Sequence, residues 1–333
     1  MQNKMDISGY RDKIRKNDST YKTILPLHEG DTTDYSHRKG KEIAGLKIDE
    51  GVTAIRACFA HNELTELVIP DSVTEIAGDT FMYNLLKSLS LPRGLTCIDI
   101  RVFAYNRLES LVIPDSVTEI KSAAFYSNRL KDVKLPEGLK FIWNQVFMHN
   151  CLTHIEIPDS VTEIWDEAFK SNQLTEVKLP KGLERIDNGA FMNNCLESFE
   201  IPNSVISIGD DAFKSNRLRY IKLPKGLEDI AKGLENIGAR VFGNNKLERI
   251  VLPMSLKWIS DTAFKGNPIT SITIGANIQG QQNSDDFTLA LLPSPNAFGV
   301  YGVSFIDSYI YNNTAAGTYE YDQAAKKWDY ITL

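Results

Sequence analysis

The chain has 333 residues, 42% of them hydrophobic and 24% charged, a composition typical of a globular protein with a sizeable core. Its 37 basic and 43 acidic residues give a net charge of −6, which argues against nucleic acid or an anionic membrane as partner. No apolar run reaches the roughly 18 residues of a membrane helix, and the opening MQNKMDISGYRDKIRKNDST lacks the apolar stretch of a secretory signal, so membrane insertion is not predicted.

Residues 1–42 precede the first periodic segment of the chain. We predict that they form an N-terminal cap or arm, because an open stack of repeats exposes its first core residues and its first strand edge. The segment ILPL at 24–27 offers the apolar contact that such a cap requires.

Residues 43–278 repeat with a period of 22, and alternate copies make a longer unit of 44. The octapeptide IPDSVTEI occurs at 69–76, 113–120 and 157–164, with the variants LPRGLTCI at 91 and LPEGLKFI at 135 between them. A fixed period of this length is typical of solenoids. Leucine, proline, phenylalanine and asparagine all keep this period, and the leucines are Leu64, Leu86, Leu108, Leu130, Leu152, Leu174, Leu196 and Leu218.

The repeat unit reads L-x-x-(L/V/I)-x-(I/L)-P-x-x-(V/L)-x-x-I-x-x-x-x-F-x-x-N-x. LTELVI at 64–69 predicts a short strand that proline ends, VTEI at 73–76 predicts a second strand, and a helical turn is expected to end at Phe81. Because 22 residues cannot enclose a core alone, the coils must stack. We therefore predict a right-handed solenoid of about eleven coils, mostly β strands with short helical turns, in which buried asparagine side chains bond backbone groups.

The period is interrupted near 227–237, where KGLEDIA is followed directly by KGLENIG. This seven-residue tandem copy is expected to loop out of the solenoid. It could serve as a contact element or be a remnant of duplication.

Alternating charges mark one surface position of the first strand, between its last two apolar residues. Five consecutive coils place Lys134, Glu156, Lys178, Glu200 and Lys222 there. Strands in register bring each lysine beside a glutamate, which favours correct registry and solubility. A charged platform for a ligand is the alternative.

The two positions that follow the repeated phenylalanine hold different types of residue in the two halves of the array. The N-terminal half holds Met82, Tyr83, Tyr105, Tyr126, Met148 and His149, whereas later coils hold mostly lysine and serine. Tyrosine and methionine are enriched at interfaces and lysine is depleted there. These side chains either cover a neighbouring coil or form a ridge that binds a partner.

A second aromatic group comprises Phe141, Trp143 and Trp165, on or just after the second strand of adjacent coils. Two tryptophans that are 22 residues apart are expected to lie side by side. The group could be a second contact patch or packing for the N-terminal arm.

Residues 279–333 are predicted to form a small C-terminal β cap. FTLALLP at 287–293 and the aromatic alternation in FIDSYIY, TYEYD and WDYI favour a hairpin that covers the last coil.

The residues that carry chemistry form no recognisable constellation. The five histidines do not pair with cysteine or carboxylate at metal-ligand spacing, and no nucleophile elbow, P-loop or dinucleotide-binding fingerprint is present. The sequence predicts neither an enzyme, nor a cofactor, nor a metal site.

The unit LxxLxIPxxVxxIxxxxFxxN resembles the BspA-like leucine-rich repeat family, and the agreement covers residues 43–278. GTYEYDQAAKKWDY at 317–330 is similar to the segment that follows such arrays in bacterial relatives. The resemblance implies a leucine-rich repeat solenoid that binds a protein partner, as a bacterial cell-surface or secreted adhesion or host-interaction module. We expect a monomer. An intracellular interaction scaffold or effector, and a carbohydrate-binding module, are the alternatives.

Overall fold

The computed structural model describes residues 23–27, 43–56, 59–223, 229–230, 240–252, 258–259, 262–274, 279–280, 316–322, 324–325 and 327–331. Over these residues the chain is a β solenoid, and the predicted fold class is confirmed. They contain about nine turns, fewer than the eleven predicted.

Most coils contribute two short strands to two different sheets, whereas the coil of Leu86 contributes only a second strand. The first-strand series comprises β2 (Ile43–Ile48), β4 (Glu66–Val68), β7 (Ser110–Val112), β9 (Asp132–Lys134), β11 (His154–Glu156), β13 (Glu176–Lys178), β15 (Ser198–Glu200), β17 (Tyr220–Lys222), β19 (Arg249–Val251) and β21 (Ser271–Ile274). The second-strand series comprises β3 (Ala54–Ile55), β5 (Glu75–Ile76), β6 (Cys97–Ile98), β8 (Glu119–Ile120), β10 (Phe141–Ile142), β12 (Glu163–Ile164), β14 (Arg185–Ile186), β16 (Ser207–Ile208), β18 (Asp229–Ile230), β20 (Trp258–Ile259) and β22 (Gln279–Gly280).

Neighbouring coils pair in parallel at equivalent positions. In the second series β10, β12, β14 and β16 form one sheet, with Phe141 opposite Glu163 and Arg185 opposite Ser207. Proline stands two residues after eight of the ten first strands. The carbonyl of Pro70 then accepts from the N–H of Val73 at 3.1 Å to close the turn. The same turn recurs at Pro114.

The first-strand series pairs in doublets. The ladders join β7 to β9, β11 to β13, β15 to β17 and β19 to β21, whereas no ladder in the described residues joins β9 to β11 or β13 to β15. Three of these four doublets couple a coil of the IPxSV type to the following LPxGL coil, as in β11 and β13. The sequence unit of 44 residues therefore corresponds to a structural unit of two coils.

A column of stacked phenylalanine rings fills the interior. Ten of them, from Phe59 to Phe264, are fully buried, and successive ring centroids lie 5.2 to 5.8 Å apart. The repeated leucines, valines and isoleucines complete the same core. Each coil thus buries its apolar side chains against its neighbours, which explains the strict period.

Buried asparagines tie each coil to the preceding one. The side-chain amide of Asn106 donates to the carbonyls of Phe81 at 2.9 Å and Phe103 at 3.2 Å, while its oxygen accepts from the N–H of Leu86 at 3.1 Å. Equivalent bonds recur from Asn84 to Asn267. The predicted structural role of the asparagine series is confirmed.

The predicted helical turns are wrong, since no helix occurs among the described residues. The segment before Phe81 is a non-helical turn in which Asp79 has φ 62°. Later coils repeat this left-handed residue at Arg101 and Glu167. A left-handed residue at this point prevents the consecutive right-handed torsions that a helix needs.

Both ends of the solenoid carry additional strands. At the N-terminus, β1 (Thr23–Leu27) pairs with the edge of β2, so ILPL lies in a strand that extends the first sheet. At the C-terminus, β23 (Gly317–Asp322) and β24 (Lys327–Ile331) form the predicted hairpin, and β23 pairs antiparallel with β21.

Three sequence features lie largely or wholly outside the described residues. They are FTLALLP, FIDSYIY and most of the tandem copy near 227–237. Of the last, β18 belongs to the first copy and pairs with β20, so the additional residues fall between Ile230 and Phe242. The division into 1–42, 43–278 and 279–333 stays a prediction.

Candidate functional site

A continuous row of aromatic side chains crosses five consecutive coils on the surface. This aromatic row consists of His61, Tyr83, Tyr105, Tyr126 and His149. Neighbouring ring centroids lie 4.4, 4.1, 5.0 and 5.6 Å apart in that order. The first two contacts are parallel stacks and the last two are edge-to-face.

The backbone holds this row in register. Four members of the row lie two residues after a buried phenylalanine, at a turn where their φ angles are positive, between 55° and 58°. They are His61, Tyr83, Tyr105 and His149. The N–H of Tyr83 donates to the carbonyl of Ala104 at 3.0 Å, and that of Tyr105 to Tyr126 at 2.8 Å. These bonds between coils bring the rings within stacking distance.

The fold does not require an aromatic residue at this turn. A left-handed conformation is unfavourable for bulky residues and suits glycine and asparagine better. Equivalent positions in the other coils hold smaller residues, namely Ser127, Ser171, Asn193, Ser215, Asn244 and Gly266. The tyrosines therefore occupy positions where they are conformationally costly, which is common at functional sites.

The structure brings together four of the six residues predicted for the ridge. Tyr83, Tyr105, Tyr126 and His149 lie in the aromatic row, whereas Met82 is half-buried and Met148 is only 7% exposed. Met148 is buried in this structure and therefore does not contribute to the exposed ridge.

Two details of the row escaped sequence reasoning. Tyr126 also directly follows a phenylalanine, yet its ring contacts both Tyr105 and His149, beside the small Ser127. His61 was missed, although its place two residues after Phe59 is the same as that of Tyr83. Alignment of the coils at phenylalanine would have identified it.

A shallow cleft of about 410 Å³ borders the row and is lined by Tyr83, Tyr105, Ser127, Arg107 and Arg129 among others. A side-chain hydrogen bond with Tyr105 raises the pKa of the Tyr83 hydroxyl. Arg107 and Arg129 are exposed beside the rings. The cleft thus combines aromatic edges with two guanidinium groups.

The second aromatic group lies on the second-strand series. Trp143 and Trp165 are neighbours at 4.9 Å between ring centroids with a tilt of 32°, and Phe141 contacts Trp143 edge-on at 5.9 Å. The guanidinium of Arg185 lies 5.7 Å from the Trp165 ring and is bonded to Asp187. Trp143 packs against the core, so this group is partly structural.

The charge series of the first strands pairs within the doublets. Glu156 bonds to Lys178, and Glu200 bonds to Lys222 at 3.1 Å. Both lysines follow their glutamates by one coil, in the same doublet. These exposed pairs match the predicted role in registry.

Within the described parts of the chain, no group of three or more histidine, cysteine or acidic residues is placed to hold a metal ion. The same residues include no helix with the length and apolar character needed to cross a bilayer.

Comparison with solved structures shows the fold independently. A leucine-rich repeat protein from Bacteroides ovatus is 21% identical, with a TM-score of 0.53 over 77% of this chain and 84% of that one. The pneumococcal vaccine antigen PcpA is 20% identical, with a TM-score of 0.55 over 83% and 87%. A search of curated proteins found no match.

Comparison with protein families connects the repeat to a named group. The model of the BspA type leucine rich repeat region matches in six copies, over residues 53–173, 140–234 and 229–288. These matches span most of the chain and include all five coils of the aromatic row. The protein belongs to the BspA-type leucine-rich repeat family.

Proposed function

We propose that this protein is a non-enzymatic scaffold that binds another protein through the aromatic row. The observation that carries the proposal is the placement of Tyr83 and Tyr105 at left-handed positions where the fold accepts serine, asparagine or glycine. Such residues reduce stability unless another contribution offsets them. Exposed tyrosines are also the residues most enriched at the centres of protein interfaces.

The scaffold is suited to binding because its surface is ordered before a partner arrives. The rings are stacked on one another, and their backbone is fixed by bonds between coils. Few rotamers are therefore lost on docking, so more of the contact energy appears as affinity. Phe141, Trp143 and Trp165 are proposed as a secondary patch.

We further propose a cell-surface or secreted location, with a role in adhesion or host interaction. Membership of the BspA-type family and the likeness in fold to a pneumococcal vaccine antigen support this assignment. A test is to express the full-length gene product in its native host and to ask whether antibodies label intact cells.

Partner capture tests the aromatic row directly. Wild type, Tyr83→Ser/Tyr105→Ser/Tyr126→Ser and the matched control Asn193→Ser/Asn244→Ser are immobilised and exposed to the same host-cell extract. We expect at least one protein to be retained by wild type and control but lost by the tyrosine variant, and then to bind purified wild type directly. Identical retention by all three, with unchanged melting curves, would eliminate the row as the binding surface.

A further inference from the structure

We infer that the partner segment recognised by the aromatic row is an acidic stretch of protein containing aromatic side chains. This inference rests on the proposed function and specifies the chemistry of the partner. It depends on three properties of the cleft beside Tyr83 and Tyr105, namely the orientation of the rings, the charges of neighbouring residues and their pairing.

The orientation of the rings favours anions. Because Tyr83 stacks between His61 and Tyr105, with interplanar angles of 16° and 9°, its faces are covered and its edge is presented outward. The edge of an aromatic ring carries partial positive charge, and a phenol hydroxyl is a hydrogen-bond donor. Carboxylates fit such a surface better than sugar rings, which stack on open ring faces.

Neighbouring charges add to this preference. Arg107 and Arg129 line the cleft. Three further charged residues, Lys87, Glu109 and Lys131, follow two residues after the lining residues Leu85, Arg107 and Arg129. Four of these five are basic, although the whole chain carries a net charge of −6. Glu109 is already paired with Lys131 at 3.3 Å, so it does not neutralise the arginines.

The pairing of Arg107 and Arg129 differs from that of the charged residues that form ion pairs between coils. Those residues carry opposite charges one coil apart, as in Arg101 with Asp79 at 2.9 Å and Lys121 with Asp99 at 3.1 Å. Arg107 and Arg129 are also one coil apart but carry the same charge, and in the described part of the chain neither forms an ion pair. Adjacent like charges are unfavourable, and an acidic partner would neutralise them.

A second basic pair provides a matched control. Arg217 and Lys246 occupy the same repeat positions further along, where the turn residues are Ser215 and Asn244. Beside Arg107 and Arg129 the turn residues are Tyr105 and Ser127, and Tyr126 precedes Ser127. The two pairs have similar charge and exposure. They differ in the aromatic edges, which the inferred segment would contact with its own aromatic side chains.

The experiment uses the full chain and a fluorescent random copolymer of glutamate and tyrosine, measured by anisotropy at low salt. Polyglutamate, a copolymer of lysine and tyrosine, and heparin are the comparison probes. We expect the glutamate–tyrosine copolymer to bind most tightly and to weaken as salt rises, because part of the attraction is electrostatic. Arg107→Ala/Arg129→Ala should weaken it about tenfold or more, and Arg217→Ala/Lys246→Ala less than about twofold.

Several outcomes would overturn the inference. Equal losses of copolymer affinity in the two basic-pair variants would indicate general charge attraction. If heparin bound more tightly than the copolymer, through Arg107 and Arg129, the partner would be an anionic polysaccharide. No copolymer binding would also overturn it. If capture of a partner still required the three tyrosines, the proposed function would stand while the acidic specificity failed.

Discussion

The side-chain amide of Asn128 forms hydrogen bonds with backbone groups of two coils. Some of these backbone groups have a second hydrogen-bond partner and others depend on Asn128 alone. The carbonyl of Phe103 also accepts from Asn106, and that of Phe125 also accepts from Asn150. The N–H of Leu108, by contrast, donates to the oxygen of Asn128 at 3.1 Å. Loss of Asn128 therefore leaves one buried donor unpaired while both carbonyls keep a partner.

We predict that Asn128→Ala lowers the free energy of unfolding by about 2–3 kcal/mol, because a buried unpaired N–H keeps its full desolvation penalty. Urea denaturation measures the loss. In hydrogen-exchange measurements, the Leu108 amide should be among the amides whose exchange rate increases most. Ser127→Ala, one residue earlier and half-buried, is the control. A loss equal to that of the control would mean that the asparagine series contributes little.

Tyr105 illustrates a residue whose local conformation and packing oppose each other. Its φ of 55° is unfavourable for tyrosine by about 1–2 kcal/mol relative to a residue suited to the left-handed region. Its stacking on Tyr83 at 4.1 Å contributes about 0.5–1.5 kcal/mol. The two effects nearly cancel.

Tyr105→Asn is accordingly expected to change stability by less than about 1 kcal/mol, since asparagine accepts this conformation. Phe103→Ala in the same coil removes a fully buried ring and should lower stability by about 3–5 kcal/mol. Chemical denaturation of both variants makes the comparison. If Tyr105→Asn lost as much as Phe103→Ala, the ring would be structural and the argument for a binding role would fail.

At the scale of the strand, the period of the sequence predicted the stack, the core and the asparagine bonds, because equivalent residues have equivalent neighbours in a solenoid. The doublets were not predicted. In each doublet the residue before proline extends the ladder, as when the N–H of Ile157 donates to the carbonyl of Lys178 at 3.0 Å. The sequence alone does not reveal which of two neighbouring coils shares a ladder.

The sequence predicted only part of the candidate site, because it shows which residue types recur but not the direction of each side chain. The excess of tyrosine over lysine in one half is visible in the sequence, and Tyr83, Tyr105, Tyr126 and His149 do meet. The direction of each side chain depends on a left-handed turn that the predicted helical turn did not include. Met148, which occupies the same repeat position as Tyr126, is by contrast buried.

The turn between β16 and Phe213 contains two adjacent acidic residues, and the pKa of Asp210 is raised. Burial, and then the negative charge of Asp211, raise the pKa of Asp210 to about 6, while Arg240 lowers it. The folded state thus binds the proton of Asp210 more tightly than the unfolded state, whose pKa is near 3.8. Stability from this group is present at low pH and is lost as pH rises from about 4 to about 6.

Asp210→Asn should therefore stabilise the protein at pH 7 by about 1–3 kcal/mol and have little effect near pH 4. Asparagine fits this position, since Asn144 and Asn188 occupy it in two other coils. Denaturation across this pH range, with the exposed Asp159→Asn as control, measures the difference. A gain that is constant with pH would show that the charge of Asp210 is not its cause.

At the scale of the whole molecule, a solenoid has only nearest-neighbour contacts, so a local change should act locally. The C-terminal hairpin covers the last described first strand, β21, and contributes two buried aromatic residues, Tyr319 and Trp328. Without this cover the edge of β21 and the end of the core would face solvent. The hairpin is expected to hold the last coils together while the central coils depend on their own neighbours.

Tyr319→Ala tests this distribution of stability. Tyr319 is fully buried and lies opposite Ile272 in β21, so its truncation should lower the stability of the last coils by about 3–5 kcal/mol. Native-state hydrogen exchange should show faster exchange in β19 and β21 and nearly unchanged exchange in β11 and β13. Glu320→Ala, exposed on the same strand, should leave both regions unchanged. Uniform acceleration from β11 to β21 would instead show that the array unfolds as one cooperative unit, and the hairpin would then stabilise the aromatic row as much as the coil beneath it.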